Sequence, residues 1–290
     1  TNTVMASILK EFISSRIPII WVYSIEEDRL LREEAGALLP RKITNKIYIY
    51  DATNQIFDYE RIDNGTKPQA IEVDSPVDAI QAFMKEPDNN YDTMTVDGQS
   101  TWDITEHGFP YKSILIMLDA PFYMTDPSKV KHTNARLTRV IKGATQPLIK
   151  QDKSIIFVNH HTDIPIELEY IVTYVEHPLP TAKTMKAIVK SSQNSLKTES
   201  VPAISLTEDE LDVTAQQLTG LTQWQAENVL SLANRENALD FLSKTSNVSR
   251  SFKNEVIRRE KSRLIQKSGV LQIVEANWGM DQVGGMENLK

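Results

Sequence analysis

Along residues 4–14 (VMASILKEFIS) the apolar positions Val4, Ile8, Leu9, Phe12 and Ile13 recur at helical spacing, which predicts an amphipathic opening helix. The next apolar run, IPIIWVYS (17–24), is nearly continuous, β-branched and aromatic, and too short for a helix. It reads as a strand covered on both faces. EEDRLLREEAGALLP (26–40) begins with acids, spaces Leu30, Leu31, Ala35 and Leu38 along one side and stops at Pro40, so it predicts a helix. The alternation then repeats. NKIYIYDAT (45–53) reads as a strand, and SPVDAIQAFMKE (75–86) as a helix capped by Ser75 with Pro76 at its first position. SILIMLDAP (113–121) is a further buried strand, 131–150 a helix, and SIIFVNHH (154–161) and EYIVTYVEHP (169–178) two more strands. Five strands interleaved with helices predict an α/β fold: parallel strands need crossovers, so one doubly wound, mostly parallel five-stranded sheet with helices on both faces is the economical solution.

Beyond Pro180 the pattern changes to helices with no strands between them: 181–193, 205–220, 222–243 and 251–269. Ser205 or Thr207 can cap the second of these, where Glu208 and Glu210 favour the positive end of the helix dipole, and Thr222 can cap the third. The expected organisation is an α/β core over 1–180, an all-helical subdomain over 181–267, and a linker over 268–290. The last stretch has a Gly-rich turn and stops as another helix begins, so it reads as a truncation.

Composition narrows the chemistry. The 290 residues, 40% hydrophobic and 24% charged with ten glycines, describe a globular chain, neither fibrous nor disordered. A net charge of −7 offers no overall cationic field for nucleic acid or anionic membranes. Cysteine is absent, which removes disulfides, thiolate catalysis and Cys-ligated metals and fits a reducing, cytoplasmic compartment. No apolar run approaches the ~18 residues of a membrane span, and the first residues lack the order of a signal peptide.

An α/β core invites a search for a phosphate loop, in which glycine amides and a Lys cradle a triphosphate after the first strand. The turn at that place reads Ser24, Ile25, Glu26, Glu27, Asp28, with three acids and no glycine. These acids would repel phosphate, and they also suit the first turn of a helix. The pair Gly279 and Gly284 has the loop's spacing but is followed by Gly285 and Met286 instead of Lys and Ser or Thr. Asp119 ends the ILIML run as a Mg²⁺-holding acid would, yet Ala120 follows where a general base is needed. Asn159 ends the next strand, where a polar side chain can meet a terminal phosphate or cap a turn. His160 and His161 alternate across a strand, and His107, His132 and His177 stand alone in sequence, so no metal site and no catalytic residue are expected. No G-x-S-x-G motif is present. The stretch 248–267 carries seven basic and two acidic residues, which makes Arg258, Arg259 and Arg263 candidate contacts for a protein partner or nucleic acid, or simply a solvated face.

The order of these parts resembles an AAA+ ATPase module, and more closely the N-terminal half of the Ycf-type AAA family of plastids and cyanobacteria. RIPIIWVYSIEEDRLLREEA is similar to that family's opening strand and helix, and SILIMLDAP with NARLTRVIKGA to its degenerate Walker B strand and following helix. IIFVNHHTDIPIELEYIVTYVEHPLPTAKTMKAIV resembles the sensor-1 strand and the passage into the lid, and LTGLTQWQAENVLSLA the lid helix. IRREKSRLIQKSGVLQIVEA and VGGMENLK resemble the approach to a full ATPase domain. The resemblance spans the chain except 54–110. It implies a RecA/AAA-like core, with Asp119 as the Walker B-like acid and Asn159 as the sensor-1-like residue of a degenerate nucleotide site. No Arg lies between Asn159 and Lys183 to serve as an inter-subunit finger.

By this resemblance the chain is expected to be a non-catalytic N-terminal module for assembly, regulation or substrate engagement. It would carry no cofactor itself, while ATP and Mg²⁺ would serve a following AAA+ domain of the parent protein, an ATPase. Its expected partners are that domain and further copies in a homo-oligomeric ring, in the cytoplasm or a plastid stroma. The alternatives are an inactive clamp-loader-type subunit that handles nucleic acid through the basic helix, and an atypical nucleotide-binding domain.

Overall fold

The strand-forming runs take up their β conformation because Val, Ile and aromatic side chains pack on both sides of a pleated ribbon. The computed structural model describes residues 9–35, 44, 46–61, 69–88, 95–96, 99–100, 102–120, 131–160, 164–195, 206–243 and 251–267. After helical residues 9–14 come β1 (Ile19–Tyr23) and α1 (Glu27–Leu30), which widens into one π-type turn over Leu31–Ala35. Next are β2 (Lys46–Asp51), β3 (Gln55–Asp58), β4 (Gln69–Ile71), α2 (Pro76–Phe83), β5 (Thr95–Val96), β6 (Gln99–Ser100) and α3 (Ile104–His107). They are followed by β7 (Ser113–Met117), α4 (Lys131–Gln151), β8 (Ser154–Asn159) and β9 (Thr173–Glu176). Four helices complete the described residues: α5 (Ala182–Ser195), α6 (Glu208–Leu218), α7 (Gln223–Ser243) and α8 (Ser251–Lys267). The chain divides between Pro178 and Leu179 into two compact units.

In the first unit β1, β2, β7, β8 and β9 are parallel to their neighbours, in the spatial order β2-β7-β8-β1-β9. These are the five strands the apolar runs predict. The sheet has seven strands rather than five, because β3 and β4 extend it antiparallel beyond β2. Both are short and lie in the polar stretch after residue 53, where no apolar run announces them. A separate hairpin pairs β5 with β6.

Every strand residue from Ile19 to Val22 is buried, so the period-2 signal is hidden in composition and emerges only in packing. Ile19 and Trp21 join Tyr48, Tyr50, Leu115, Met117 and Phe157 on one face, beneath α2 and α4. Ile20 and Val22 join Ile47, Ile49, Ile116 and Val158 on the other, against Leu9 and Ile13 of the opening helical residues and Leu30 of α1. The result is a three-layer α/β arrangement, helix on sheet on helix. Ser75 caps α2, its Oγ accepting from the Asp78 amide, and Pro76 stands at the first helical position, where a missing N–H costs nothing.

The second unit is all helix, and α5–α8 close around Met185, Val189, Leu211, Leu218, Leu230 and Ile257. Of the two caps open to α6, Thr207 is the one used. Its Oγ1 accepts from the Glu210 amide at 3.3 Å, and the Glu210 carboxylate accepts the Thr207 N–H at 2.8 Å. Both orphan donors are satisfied reciprocally. Thr207→Ala is therefore expected to lower the stability of the helical unit by about 1 kcal/mol, read as a shifted urea midpoint in far-ultraviolet circular dichroism. Thr222 caps the next helix in the same way, accepting from the Gln225 amide at 3.1 Å. Among the described residues no helix is long and apolar enough to cross a membrane. The expected linker 268–290, with the Gly279 and Gly284 pair and VGGMENLK, lies outside the described residues, as does His161.

Candidate functional site

Open parallel sheets bind ligands beyond the carboxyl ends of their strands, and the sequence-predicted pair lies there. The β7–β8 ladder matches Met117 with Phe157, and Asp119 and Asn159 each stand two residues further on, at one level of the edge. Asn159 is buried and faces Tyr23 of β1, and its carbonyl accepts the Ser24 N–H at 2.8 Å. Asp119 is half-buried, and its Oδ2 accepts the Ala52 N–H at 2.7 Å. That carboxylate thus holds the turn after β2, while Asp51 accepts from the Thr53 and Asn54 amides beside it.

The turn after β1 is organised around Arg29. Its guanidinium donates from Nε to Glu26 at 2.9 Å, from Nη1 to Glu33 at 3.1 Å and from Nη2 to the Pro178 carbonyl. The side chains of Arg29 and Glu26 are only 4% and 7% exposed. Glu26 occupies the N-cap position of α1 yet makes no cap bond, so of the three acids it serves the ion pair, while Glu27 and Asp28 remain in the first turn. Ser24 Oγ instead accepts the Glu26 N–H at 3.1 Å and lies 2.9 Å from Nδ1 of His177, the residue following β9.

His177, solitary in sequence, comes 3.9 Å from Glu33 through its Nε2. Glu33, Glu34 and His177 each offer a ligand atom within 4.8 Å of the others, the one such group of three among the described residues. Burial pushes the Glu34 carboxyl up to about 7, the Glu33 charge adding to it and Arg29 opposing. Burial also pushes His177 down to about 4, with Arg29 adding to the shift, so the imidazole is neutral near pH 7.

These residues do not fit a triphosphate. The position where phosphate needs converging amides and a Lys holds Ile25 and three acids, and Arg29 beside them already spans two carboxylates and a carbonyl. In the helical unit Arg258, Arg259 and Arg263 are all exposed on α8. Glu260 draws Arg259 at 3.2 Å and Arg263 at 3.8 Å, and Lys261 donates to the Gln217 and Thr219 carbonyls at the end of α6. Much of the helix's positive excess is thus engaged within its own unit.

The Arg29 cluster is what sequence reasoning missed. Its local half was available, since Glu26, Arg29 and Glu33 follow the i, i+3 and i, i+4 spacing of helical ion pairs. The distant half was not, because only the β1–β9 register brings His177 to the end of β1.

Comparison with known proteins supplies the context. A family model described as the N-terminal domain of SpoVK-like AAA ATPases matches residues 5–177. The uncharacterized AAA domain-containing protein ycf46 of Trieres chinensis is 21% identical over 281 residues, covering 96% of this chain and 46% of that protein. The chain therefore spans about half the length of the curated relative it matches. Among solved structures, the AAA domain of FIGL-1 in complex with ADP aligns at 14% identity over 54% of this chain and 56% of that chain, with a TM-score of 0.34.

Proposed function

Because the chain belongs to the family of SpoVK-like AAA ATPase N-terminal domains, we propose that it acts as a non-catalytic AAA-like module for assembly, regulation or substrate engagement, with ATP and Mg²⁺ used by a domain that follows it. One observation carries this reading. The turn after β1 is closed by the Glu26–Arg29–Glu33 ion pairs, at the place where a working ATPase presents amides and a Lys to phosphate. Asp119 Oδ2 accepts the Ala52 N–H, and Ala120 supplies no base. In this reading Asp119 and Asn159 are remnants of a nucleotide site that now stiffen the sheet edge. The helical unit is its lid, residues 268–290 lead to the ATPase domain, and the parent protein assembles as a homo-oligomeric ring in the cytoplasm or a plastid stroma.

Calorimetry with ATP and Mg²⁺ tests it, on this chain and on one extended through the following domain. This chain is expected to bind ATP no tighter than about 1 mM, and the extended protein at micromolar Kd with turnover. Micromolar binding by the 290-residue chain, lost in Asp119→Ala, would overturn the reading. Salt-dependent DNA binding lost in a variant carrying both Arg258→Ala and Arg259→Ala would favour a nucleic-acid role instead.

A further inference from the structure

The carboxyl end of β1 carries a feature that neither nucleotide chemistry nor ion pairing uses. Glu34 is 3% exposed, and among the described residues neither of its carboxylate oxygens has a hydrogen-bond partner. Ionising an acid so placed costs several kcal/mol unless something supplies positive charge. Arg29 does so only in part, because its three donor nitrogens already serve Glu26, Glu33 and Pro178 and none bonds to Glu34.

We propose that Glu33, Glu34 and His177 form a binding site for a divalent transition-metal ion of the Zn²⁺ class, which ties α1 to the end of β9. Three features support it independently. The ligand atoms lie within 4.8 Å of one another, and a tetrahedral ion with bonds near 2.1 Å sets its ligands roughly 3.4 Å apart, so small side-chain rotations close the set. Charge favours a cation: with every carboxylate ionised, Glu26, Glu33 and Glu34 against Arg29 leave two negative charges, which one divalent ion cancels. The second shell is in place, since Nδ1 of His177 meets Ser24 Oγ at 2.9 Å, and donating its hydrogen there leaves the Nε2 lone pair toward Glu33. The widened turn over Leu31–Ala35 contributes by placing consecutive Glu33 and Glu34 closer in azimuth than an α-helix would.

The donor set selects the ion. One imidazole with two carboxylates suits Zn²⁺ better than Mg²⁺ or Ca²⁺, which prefer all-oxygen shells. Three protein ligands leave a fourth position for water.

The test titrates Zn²⁺ into the untagged, chelator-treated chain, following stoichiometry by competition with a chromophoric chelator and stability by thermal unfolding. One equivalent is expected to bind with a rise in Tm, and Mg²⁺ at the same concentration to leave Tm unchanged. Glu34→Gln and His177→Asn are each expected to weaken Zn²⁺ binding by about a hundredfold or more. Glu34→Gln removes a buried charge without changing shape, so it should fold, and its metal-free Tm serves as the control. No Zn²⁺ binding up to about 1 mM, or binding that survives either substitution, would overturn the proposal.

Discussion

Replacing Arg29 by methionine is expected to destabilise the α/β unit by about 3–5 kcal/mol, the cost of leaving buried carboxylates without their counter-ion. Methionine keeps most of the side-chain volume, so the effect is electrostatic and not a cavity. Glu26 loses its partner at 2.9 Å and Glu33 its partner at 3.1 Å, and the Pro178 carbonyl loses its donor. Arg29→Lys should recover only part of the loss, because an ammonium cannot present the guanidinium's fork to two carboxylates at once. Urea unfolding followed by Trp fluorescence reads the difference. A loss under about 1 kcal/mol would mean that the Glu26 and Glu33 carboxylates escape to water when the guanidinium is removed.

The second large effect concerns Lys153, which is 1% exposed. Its Nζ donates to the carbonyls of Phe83 and Lys85 at 2.9 and 3.0 Å and to Gln151 at 2.7 Å, and stands 5.2 Å from the centre of the Phe83 ring. It thereby satisfies carbonyls at the end of α2 that have no partner within the helix. Burial pushes this amine from the usual 10.5 down to about 7, with Glu86 opposing. Between pH 7 and 10.5 the unfolded chain therefore binds a proton that the folded chain gives up. Stability from this group is fully present above about 10.5 and falls by about 1.4 kcal/mol per pH unit down to about 7, below which it is flat. Lys153→Met abolishes that slope. The stability lead of the natural chain over the variant should thus grow by roughly 3 kcal/mol between pH 7 and 9.5, measured as paired urea melts. A lead that stays constant would mean that the three acceptors keep the ammonium charged throughout.

Much of the architecture is legible in the apolar pattern, for physical reasons that differ by element. IPIIWVYS, NKIYIYDAT and SIIFVNHH declare themselves because strands covered on both faces need apolar residues at every position, which no surface helix tolerates over so short a run. Ser75-Pro76 and Thr207 with Glu210 announce helix starts because the cap chemistry is local. The antiparallel extension is not legible. Gln55–Asp58 has polar residues at both ends, and what fixes it is pairing with β2, including Lys46 against Asp58 at 3.1 Å. Nor is the end of α1, since the run to Leu38 keeps a helical period while the described backbone widens after Leu30.

The same division holds for the site. The sheet-edge position of Asp119 and Asn159 is legible because a polar residue ending an apolar strand stands at that edge wherever the strand lies. The grouping of Glu33 and Glu34 with His177 rests on the β1–β9 register and on a residue some 140 positions away, which spacing along the chain does not carry.

The strand order also bears on how the protein is made. β1 leaves the ribosome well before either of its neighbours, β8 and β9, which are encoded far downstream, with Tyr23 pairing with Asn159 and Glu176. At translation speeds of about 5–20 residues per second, this apolar strand waits roughly 7–27 s for its first partner. During that interval IIWVY has the composition of an aggregation-prone segment without a sheet to enter. Nascent chains released before residue 154 should therefore be captured by chaperones or lost to aggregation, whereas chains that reach the end of β9 can shut the ladder on both sides.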